Sequence, residues 1–107
     1  RIVEFEAGSA VLRPQGLGLL DDMAHTLSGM KDKRVLITGH TDAQGSRASN
    51  IVLSQARADA VRAYLVSKGF VAEHISTVGA GPDRPVASNA SEEGRARNRR
   101  IEFQIVQ

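Results

Sequence analysis

Cysteine is absent from this sequence of 107 residues. Its absence excludes a disulfide framework, thiolate catalysis and zinc sites with cysteine ligands. Tryptophan is absent as well, and aromatic residues make up only 4% of the chain, so any core must be mainly aliphatic. A hydrophobic content of 41% is enough for one modest core, and we expect residues 1–107 to form a single domain.

Long apolar runs and a strong charge of one sign are also missing. No stretch approaches the roughly 20 apolar residues that a membrane-spanning helix needs. The first residues, RIVEFEAGS, predict a strand and a turn rather than a signal peptide, so we expect a domain whose targeting segment lies elsewhere. The net charge of +2 is too small to dictate a polyanionic partner over the whole surface.

Apolar spacing and turn residues divide the chain into alternating strands and helices. In order, we predict a strand at 2–5, a helix from Arg13-Pro14 to Ser28-Gly29, a strand at Val35–Ile37, a long helix from Ser49 or Asn50 to Lys68-Gly69, a strand at 75–78, a loop at Gly79–Pro85, a short helix capped by Asn89 and running to about Arg97, and a last strand at 101–105.

This order determines the predicted fold class. Strands joined through helices have right-handed crossovers and lie parallel, whereas the short last connection favours an antiparallel strand. Val35–Ile37 shows no polar alternation, which is typical of a central strand covered on both faces. We therefore predict an α/β (α+β) two-layer sandwich, β-α-β-α-β-(short α)-β, with a mixed sheet of about four strands.

Arg57 is the residue that fits its surroundings least. On a helical wheel it falls near the middle of an apolar face of the long helix. Arginine is almost always charged and is rarely buried without a partner, so we expect it to face a cleft and meet a carboxylate there. Asp42 follows a strand at the edge where open α/β sheets place ligands. The two residues form either a site for an amino-acid zwitterion or an ion pair with each other.

Other patterns have weaker functional interpretations. His40 and Asp42 could ligate a metal, but no third ligand converges on them, and His40 is better explained as a hydrogen-bonded strand end. Gly79-Ala80-Gly81 lacks the third glycine of a dinucleotide loop. The basic cluster at Arg95–Arg100 could bind a polyanion, although no aromatic stacking platform accompanies it. We find no catalytic constellation and predict no enzyme, no metal and no cofactor.

A long, ordered series of residues resembles the OmpA-like C-terminal domain family. The series covers nearly the whole chain and consists of Phe5, Ala10, Leu12 and Pro14, then Gly39-His40-Thr41-Asp42, Gly45, Asn50, Leu53-Ser54, Arg57-Ala58, Val61 and Leu65, then Gly79, Gly81, Pro85, Asn89, Gly94-Arg95-Ala96 and Asn98-Arg99-Arg100. The family includes the peptidoglycan-associated lipoprotein and the periplasmic part of flagellar stator proteins.

The resemblance implies non-covalent binding of peptidoglycan through the diaminopimelate of its stem peptide. It assigns the ligand's amine to Asp42 and the ligand's carboxylate to Arg57. Some family members carry an Asn in the turn where this chain has Gly8-Ser9. The residues that the resemblance implicates in binding are Gly8, Ser9, Thr41, Asp42, Ala43, Gln44, Gly45, Asn50 and Arg57.

The resemblance also implies a location and a set of partners. It places the domain in the periplasm, associated with the outer membrane of a Gram-negative cell and anchoring the membrane or an envelope complex to the wall. We expect a monomer that binds no nucleic acid and meets a membrane only through other parts of its protein. The alternative function is polyanion or nucleic-acid binding through Arg95–Arg100.

Overall fold

In the part of the chain that the structure describes, three strands form one mixed sheet, and the first of these strands in chain order lies at its centre. The computed structural model describes residues 3–6, 8–28 and 32–106. Its elements are α1 (Pro14–Leu27), β1 (Arg34–His40), α2 (Arg47–Ser67), a 3₁₀ turn (Ala72–His74), β2 (Ile75–Gly81), α3 (Glu92–Asn98) and β3 (Ile101–Val106). The strand order is β2-β1-β3, with β1 parallel to β2 and antiparallel to β3. The predicted α/β class, the central strand and the antiparallel last strand are confirmed.

Within the described residues, the sheet has three strands rather than the predicted four. The segment expected to form the first strand pairs instead with the chain that follows it. Phe5 and Leu12 make an isolated antiparallel bridge, and Arg13 N–H donates to the carbonyl of Glu4 at 2.9 Å. Gly8, at φ +65°, allows the tight turn between them. Ile2 lies outside the described residues.

The helix ends follow the side chains that can cap them. Pro14 opens α1 as predicted, and α2 ends at Ser67 before Lys68 and a left-handed Gly69 (φ +104°), also as predicted. The predicted stop of α1 at Gly29 lies outside the described residues. The predicted start of α2 was too late, because the hydroxyl of Ser46 accepts from Ser49 N–H at 3.0 Å and the helix begins at Arg47.

The predicted cap of α3 was wrong. Ser91 caps this helix by accepting a hydrogen bond from Gly94 N–H at 3.1 Å. The side-chain oxygen of Asn89 is engaged elsewhere, by Ala43 N–H and by the side chain of Asn98. The sequence pattern could not separate these two cap candidates, since both Asn and Ser are favourable at this position.

Gly79–Gly81 belongs to β2 and not to the predicted loop. The glycines at the ends of the two parallel strands allow α2 to lie directly on the sheet. A Cβ on Gly39 would lie 2.2 Å from the carbonyl oxygen of Ser54, and one on Gly79 would lie 2.5 Å from the backbone nitrogen of Gln55. Glycine here marks a close backbone approach rather than a turn, and it brings the first half of α2 against the carboxyl end of β1.

The core is aliphatic, as the low aromatic content indicated. It joins α1, α2 and the sheet in a two-layer arrangement, and its buried members are Leu20, Ala24, Leu27, Val35, Ile37, Ala58, Val61, Leu65 and Ile75. Helices α1 and α2 supply six of these nine side chains. The face that α2 buries is centred on Ala58, Val61 and Leu65, so Arg57 lies at its edge and not near its middle as expected. None of the described helices is both long and apolar enough to span a membrane.

Candidate ligand-binding site

A cleft of about 660 Å³ opens beside the carboxyl end of β1. It lies between the hairpin at 4–13, the 41–46 loop, the middle of α2 and the α3–β3 junction. Its lining consists of Val3, Glu4, Phe5, Gly8, Arg13, His40, Asp42, Gln44, Arg57, Glu92, Ala96, Arg99, Arg100 and Ile101. Both residues predicted as the centre of the site, Asp42 and Arg57, face this one space.

Asp42 is held at the base of the cleft by two hydrogen-bond donors. Its Oδ1 accepts from the backbone N–H of Gln44 at 2.9 Å, and its Oδ2 accepts from Nη1 of Arg99 at 2.7 Å. The residue is only 7% exposed. The backbone donor and the guanidinium together fix the orientation of this carboxylate.

Arg99 connects Asp42 to a second carboxylate. Its Nη2 donates to Oε2 of Glu92 at 2.7 Å, and the other oxygen of Glu92 accepts from Nε of Arg95 at 3.2 Å. Hydrogen bonding to Arg99 is the main cause that lowers the pKa of Glu92 below its ordinary value. Arg99 therefore lies between two anions in the cleft, one nearly buried and one exposed.

Arg57 enters the same cleft from α2 with fewer partners. Its Nε donates to the carbonyl of Ser9 at 2.9 Å, and the guanidinium carbon lies 5.0 Å from the centroid of the Phe5 ring. Among the described residues, neither Nη1 nor Nη2 has a hydrogen-bond or ion-pair partner. Burial, followed by the charge of Arg99, lowers the pKa of Arg57, and the charge of Asp42 partly offsets this effect.

The expected alternative of an Asp42–Arg57 ion pair is therefore wrong. The cation that pairs with Asp42 is Arg99, which comes from the chain 57 residues later. The two residues still influence each other electrostatically across the cleft, because Asp42 favours the charged form of Arg57. The terminal nitrogens of Arg57 are left available to an anion from outside.

The 41–46 loop is built from hydrogen bonds that hold its backbone in place. Thr41 N–H donates to the carbonyl of Gly81 at 2.9 Å, and its hydroxyl donates to the carbonyl of Asp42 at 2.7 Å. Ala43 N–H donates to Oδ1 of Asn89 at 3.2 Å, so this amide is engaged by the protein itself. Gly45 has a left-handed backbone, with φ at +82°.

The remaining predicted residues stand at different distances from the cleft. Gln44 and Gly8 line it. Asn50 supports it from behind by donating its side-chain N–H to the carbonyl of Gln44 at 2.7 Å. The carbonyl of Ser9 accepts the hydrogen bond from Nε of Arg57, and Ser9 lines a smaller neighbouring groove rather than the cleft.

Comparisons with known proteins identify the family of this chain. The sequence model of the OmpA family matches residues 4–99. The chain belongs to the OmpA family. It is 44% identical over 102 residues to Outer membrane protein A of Bordetella avium, covering 95% of this chain and 53% of that protein. It is 45% identical over 103 residues to Peptidoglycan-binding protein ArfA of Mycobacterium tuberculosis, covering 96% of this chain and 32% of that protein.

The fold of this OmpA-family chain also matches a solved structure. The peptidoglycan-associated lipoprotein from Burkholderia pseudomallei superposes with a TM-score of 0.90 at 33% identity, covering 99% of this chain and 90% of that one. The chain spans about half or less of the length of the two sequence relatives above. The prediction that the chain is not an enzyme agrees with its membership of this family.

Most of the basic cluster of this OmpA-family chain is neutralised by neighbouring carboxylates. Arg95 and Arg99 pair with Glu92, and Arg100 donates to Oε2 of Glu102 at 2.6 Å. Of the four arginines from 95 to 100, Arg97 alone has no ion-pair partner within the described ranges. The cluster therefore offers little unpaired positive charge for a polyanion.

His40 lies in the wall of the cleft with its side chain almost fully buried. Its Nε2 is 3.4 Å from Oε1 of Glu102, and burial, followed by the charge of Arg100, lowers the pKa of His40 below its ordinary value. In residues 3–6, 8–28 and 32–106, no three His, Asp or Glu side chains are grouped so that they could hold a metal. His40 ends β1 and its backbone N–H donates to the carbonyl of Arg100 at 2.9 Å, so the expectation of a hydrogen-bonded strand end is confirmed for the backbone. Within the described residues, neither ring nitrogen of His40 has a hydrogen-bond partner.

Arg99 and Glu92 form ion pairs in the cleft, and the site prediction from the sequence did not include them. Arg99 was part of the motif Asn98-Arg99-Arg100, one of the motifs by which the chain resembles the family. Its pairing with Asp42 bridges two segments that are far apart in the chain. The only signal in the sequence was the excess of arginines just before the last strand, which does not indicate which carboxylate they meet.

Proposed function

We propose that this domain binds peptidoglycan non-covalently, by holding the amino-acid end of diaminopimelate in the stem peptide. One observation carries the proposal: Asp42 and Arg57 line one cleft, and the terminal nitrogens of Arg57 have no partner among the described residues. A half-buried guanidinium with open donors is a favourable partner for a carboxylate.

The zwitterion matches the two ends of the cleft in charge. Its carboxylate would accept hydrogen bonds from Nη1 and Nη2 of Arg57, and its ammonium would lie against Asp42. Charge-assisted hydrogen bonds of this kind each contribute about 1.5–3 kcal/mol when they are shielded from water. The Phe5 ring beneath Arg57 keeps the guanidinium in place before the ligand arrives.

The names of relatives support the same class of ligand. ArfA is described as a peptidoglycan-binding protein, and a solved relative is a peptidoglycan-associated lipoprotein. We further propose that residues 1–107 form a single wall-binding domain that anchors an envelope protein or complex from the periplasm. The relatives include an outer membrane protein and a lipoprotein, which supports an association with the outer membrane.

Co-sedimentation with purified sacculi tests the proposal. The domain should sediment with diaminopimelate-type sacculi, and Arg57→Ala should weaken this binding by at least about tenfold while the variant stays folded by circular dichroism. A stem tripeptide ending in diaminopimelate should compete, whereas the same tripeptide ending in lysine, whose side chain carries an ammonium but no carboxylate, should compete poorly. Wild-type retention of folded Arg57→Ala on the sacculi would refute the assignment of Arg57.

The same assay separates this function from polyanion binding. Binding to a polyanion through Arg95–Arg100 would fall steeply with salt and would not respond to Asp42→Ala. Binding to a net-neutral zwitterion in a partly buried cleft should depend weakly on salt and should require Asp42. A steep salt dependence together with indifference to Asp42→Ala would favour the polyanion function.

A further inference from the structure

The carboxylate assigned to the ligand's ammonium is not open to solvent. The side chain of Asp42 is 10% exposed, whereas that of Arg99, which covers it, is 37% exposed. A cation that approaches Asp42 from the cleft therefore meets Arg99 first. The Oδ2 atom at which the two would compete already holds Arg99 at 2.7 Å.

Arg99 has a second anion to hold if it leaves Asp42. Its other terminal nitrogen is 2.7 Å from Oε2 of Glu92, whose side chain is 65% exposed. Glu92 lies at the start of α3 and is also held by Arg95. The guanidinium could therefore withdraw from Asp42 and remain ion-paired, so its displacement does not leave a charge without a partner.

Asp42 in turn does not depend on Arg99 alone for its orientation. Its Oδ1 is fixed by the backbone N–H of Gln44, and Gln44 is fixed through its carbonyl by Asn50. Removing Arg99 would expose the carboxylate without releasing it from the loop. Gln44 therefore positions Asp42, whereas Arg99 blocks access to it.

We propose that Arg99 is a built-in competitor for the ammonium subsite, and that ligand binding requires Arg99 to shift from Asp42 onto Glu92. The inference rests on the proposed function and adds a residue that sets its affinity. One charge-assisted hydrogen bond to Asp42 is exchanged for another, which keeps the gain from the ammonium small and the binding reversible. The subsite for the ligand's carboxylate, at Arg57, has no such competitor among the described residues.

Calorimetry with two stem tripeptides tests the competition. One tripeptide ends in diaminopimelate, and the other is identical except that its side-chain amine is acetylated. Arg99→Gln should bind the free-amine tripeptide about fivefold more tightly than wild type does, since it removes the competitor from a partly exposed site. Binding of the acetylated tripeptide should change little. Arg97→Gln, in the last turn of α3 two residues before Arg99 and without an ion-pair partner among the described residues, is the matched control.

Glu92→Gln should change the affinity for the free-amine tripeptide in the opposite direction. It removes the alternative anchor of Arg99, so Arg99 should hold Asp42 more persistently, and the free-amine tripeptide should bind more weakly by a few-fold. Glu93→Gln is the control, since Glu93 is exposed in the same first turn of α3 and carries the same charge. Glu92 is itself an exposed side chain, so this arm is informative even if Arg99→Gln does not fold.

Opposite signs for the two variants, confined to the free-amine tripeptide, support the competition. Equal or weaker binding by folded Arg99→Gln, or unchanged binding by Glu92→Gln, would overturn it and assign Arg99 to positioning or to direct ligand contact. Either of those outcomes leaves the proposed function intact, because the wild-type domain still binds the tripeptide. Failure of the wild type to bind either tripeptide overturns the proposed function together with this inference.

Discussion

The two ends of the cleft are built in different ways. At one end, Asp42 is nearly buried and hydrogen-bonded on both oxygens, with Arg99 and the Gln44 amide as donors. At the other end, Arg57 uses one nitrogen on the carbonyl of Ser9 and lies over a phenyl ring, and its terminal nitrogens have no partner among the described residues. The carboxylate end is closed by the protein itself, whereas the guanidinium end is open.

This difference separates stability from binding. A group whose hydrogen bonds are satisfied internally contributes to folding and loses that contribution when it is replaced. A group with unused donors in a cleft contributes little to folding and retains its capacity for a ligand. We therefore expect substitutions at the carboxylate end to change the free energy of unfolding, and substitutions at the guanidinium end to change affinity.

Asn98→Ala should have the largest effect, because it removes the support behind the carboxylate end. Asn98 is fully buried, accepts from the N–H groups of Val86 and Ala87, and donates to the side chain of Asn89, which in turn holds Ala43. Losing these bonds leaves the backbone N–H groups of Val86 and Ala87 without their acceptor and a cavity in place of the buried amide, and should lower the free energy of unfolding by about 3 kcal/mol in urea titration. A fall in the free energy of unfolding of less than about 1 kcal/mol would contradict this account of the closed end.

Asp42→Asn should reduce both stability and binding. The amide keeps the shape of the carboxylate but loses the charge that Arg99 and a ligand ammonium both use. We expect the free energy of unfolding to fall by about 1–2 kcal/mol, with weaker retention on sacculi. An unchanged urea midpoint would show that the Asp42–Arg99 pair contributes nothing to folding and would break the contrast between the two ends.

Arg57→Met should reduce binding alone. Methionine retains a flexible apolar stem over Phe5 and removes the guanidinium. We expect tripeptide affinity to fall about tenfold, which corresponds to about 1.4 kcal/mol, with a change in unfolding free energy below about 0.5 kcal/mol. The contrast fails if Arg57→Met destabilises the domain as much as Asp42→Asn does.

The smallest effect should be a pH dependence that comes from His40. Burial lowers the pKa of His40 in the folded domain below the ordinary 6.5, so the folded state binds fewer protons than the unfolded chain. Its contribution to stability is therefore present above pH 6.5 and is lost as the pH falls towards the lowered value. The melting temperature should decline between about pH 7.5 and 5.5, and His40→Asn should flatten that decline. His25→Asn, on an exposed part of α1, should not.

Much of the fold could be predicted because it depends on local patterns. The unbroken apolar run of β1 indicated its central place, and Pro14 and Gly69 indicated helix ends. The prediction that the first strand joins the sheet was wrong because a glycine turn lets the two sides of the 4–13 segment pair with each other. Hydrophobicity does not distinguish this local pairing from pairing with the sheet. The prediction of a loop at Gly79 was wrong because glycine is favoured both in loops and where a helix backbone lies close to a strand.

The candidate site could be predicted only in part for a related reason. Asp42 and Arg57 lie near each other in sequence, and each was unusual in its own element: a carboxylate after a strand and a cation on an apolar helix face. Arg99 reaches Asp42 through the fold, and no local pattern indicates which of several arginines does so. Sequence patterns thus identified the residues of the cleft that are close in sequence but not the ion pair that closes one end.

An NMR titration of the isotope-labelled domain with a stem tripeptide ending in diaminopimelate tests the central claim most directly. The side-chain Nε–Hε signal of Arg57 and the backbone amides of residues 41–45 should shift together, saturating with one affinity. The Nε–Hε signal of Arg97 should stay in place. Saturable shifts confined to the arginines at 95–100, with Arg57 and the 41–45 loop unmoved, would contradict the account.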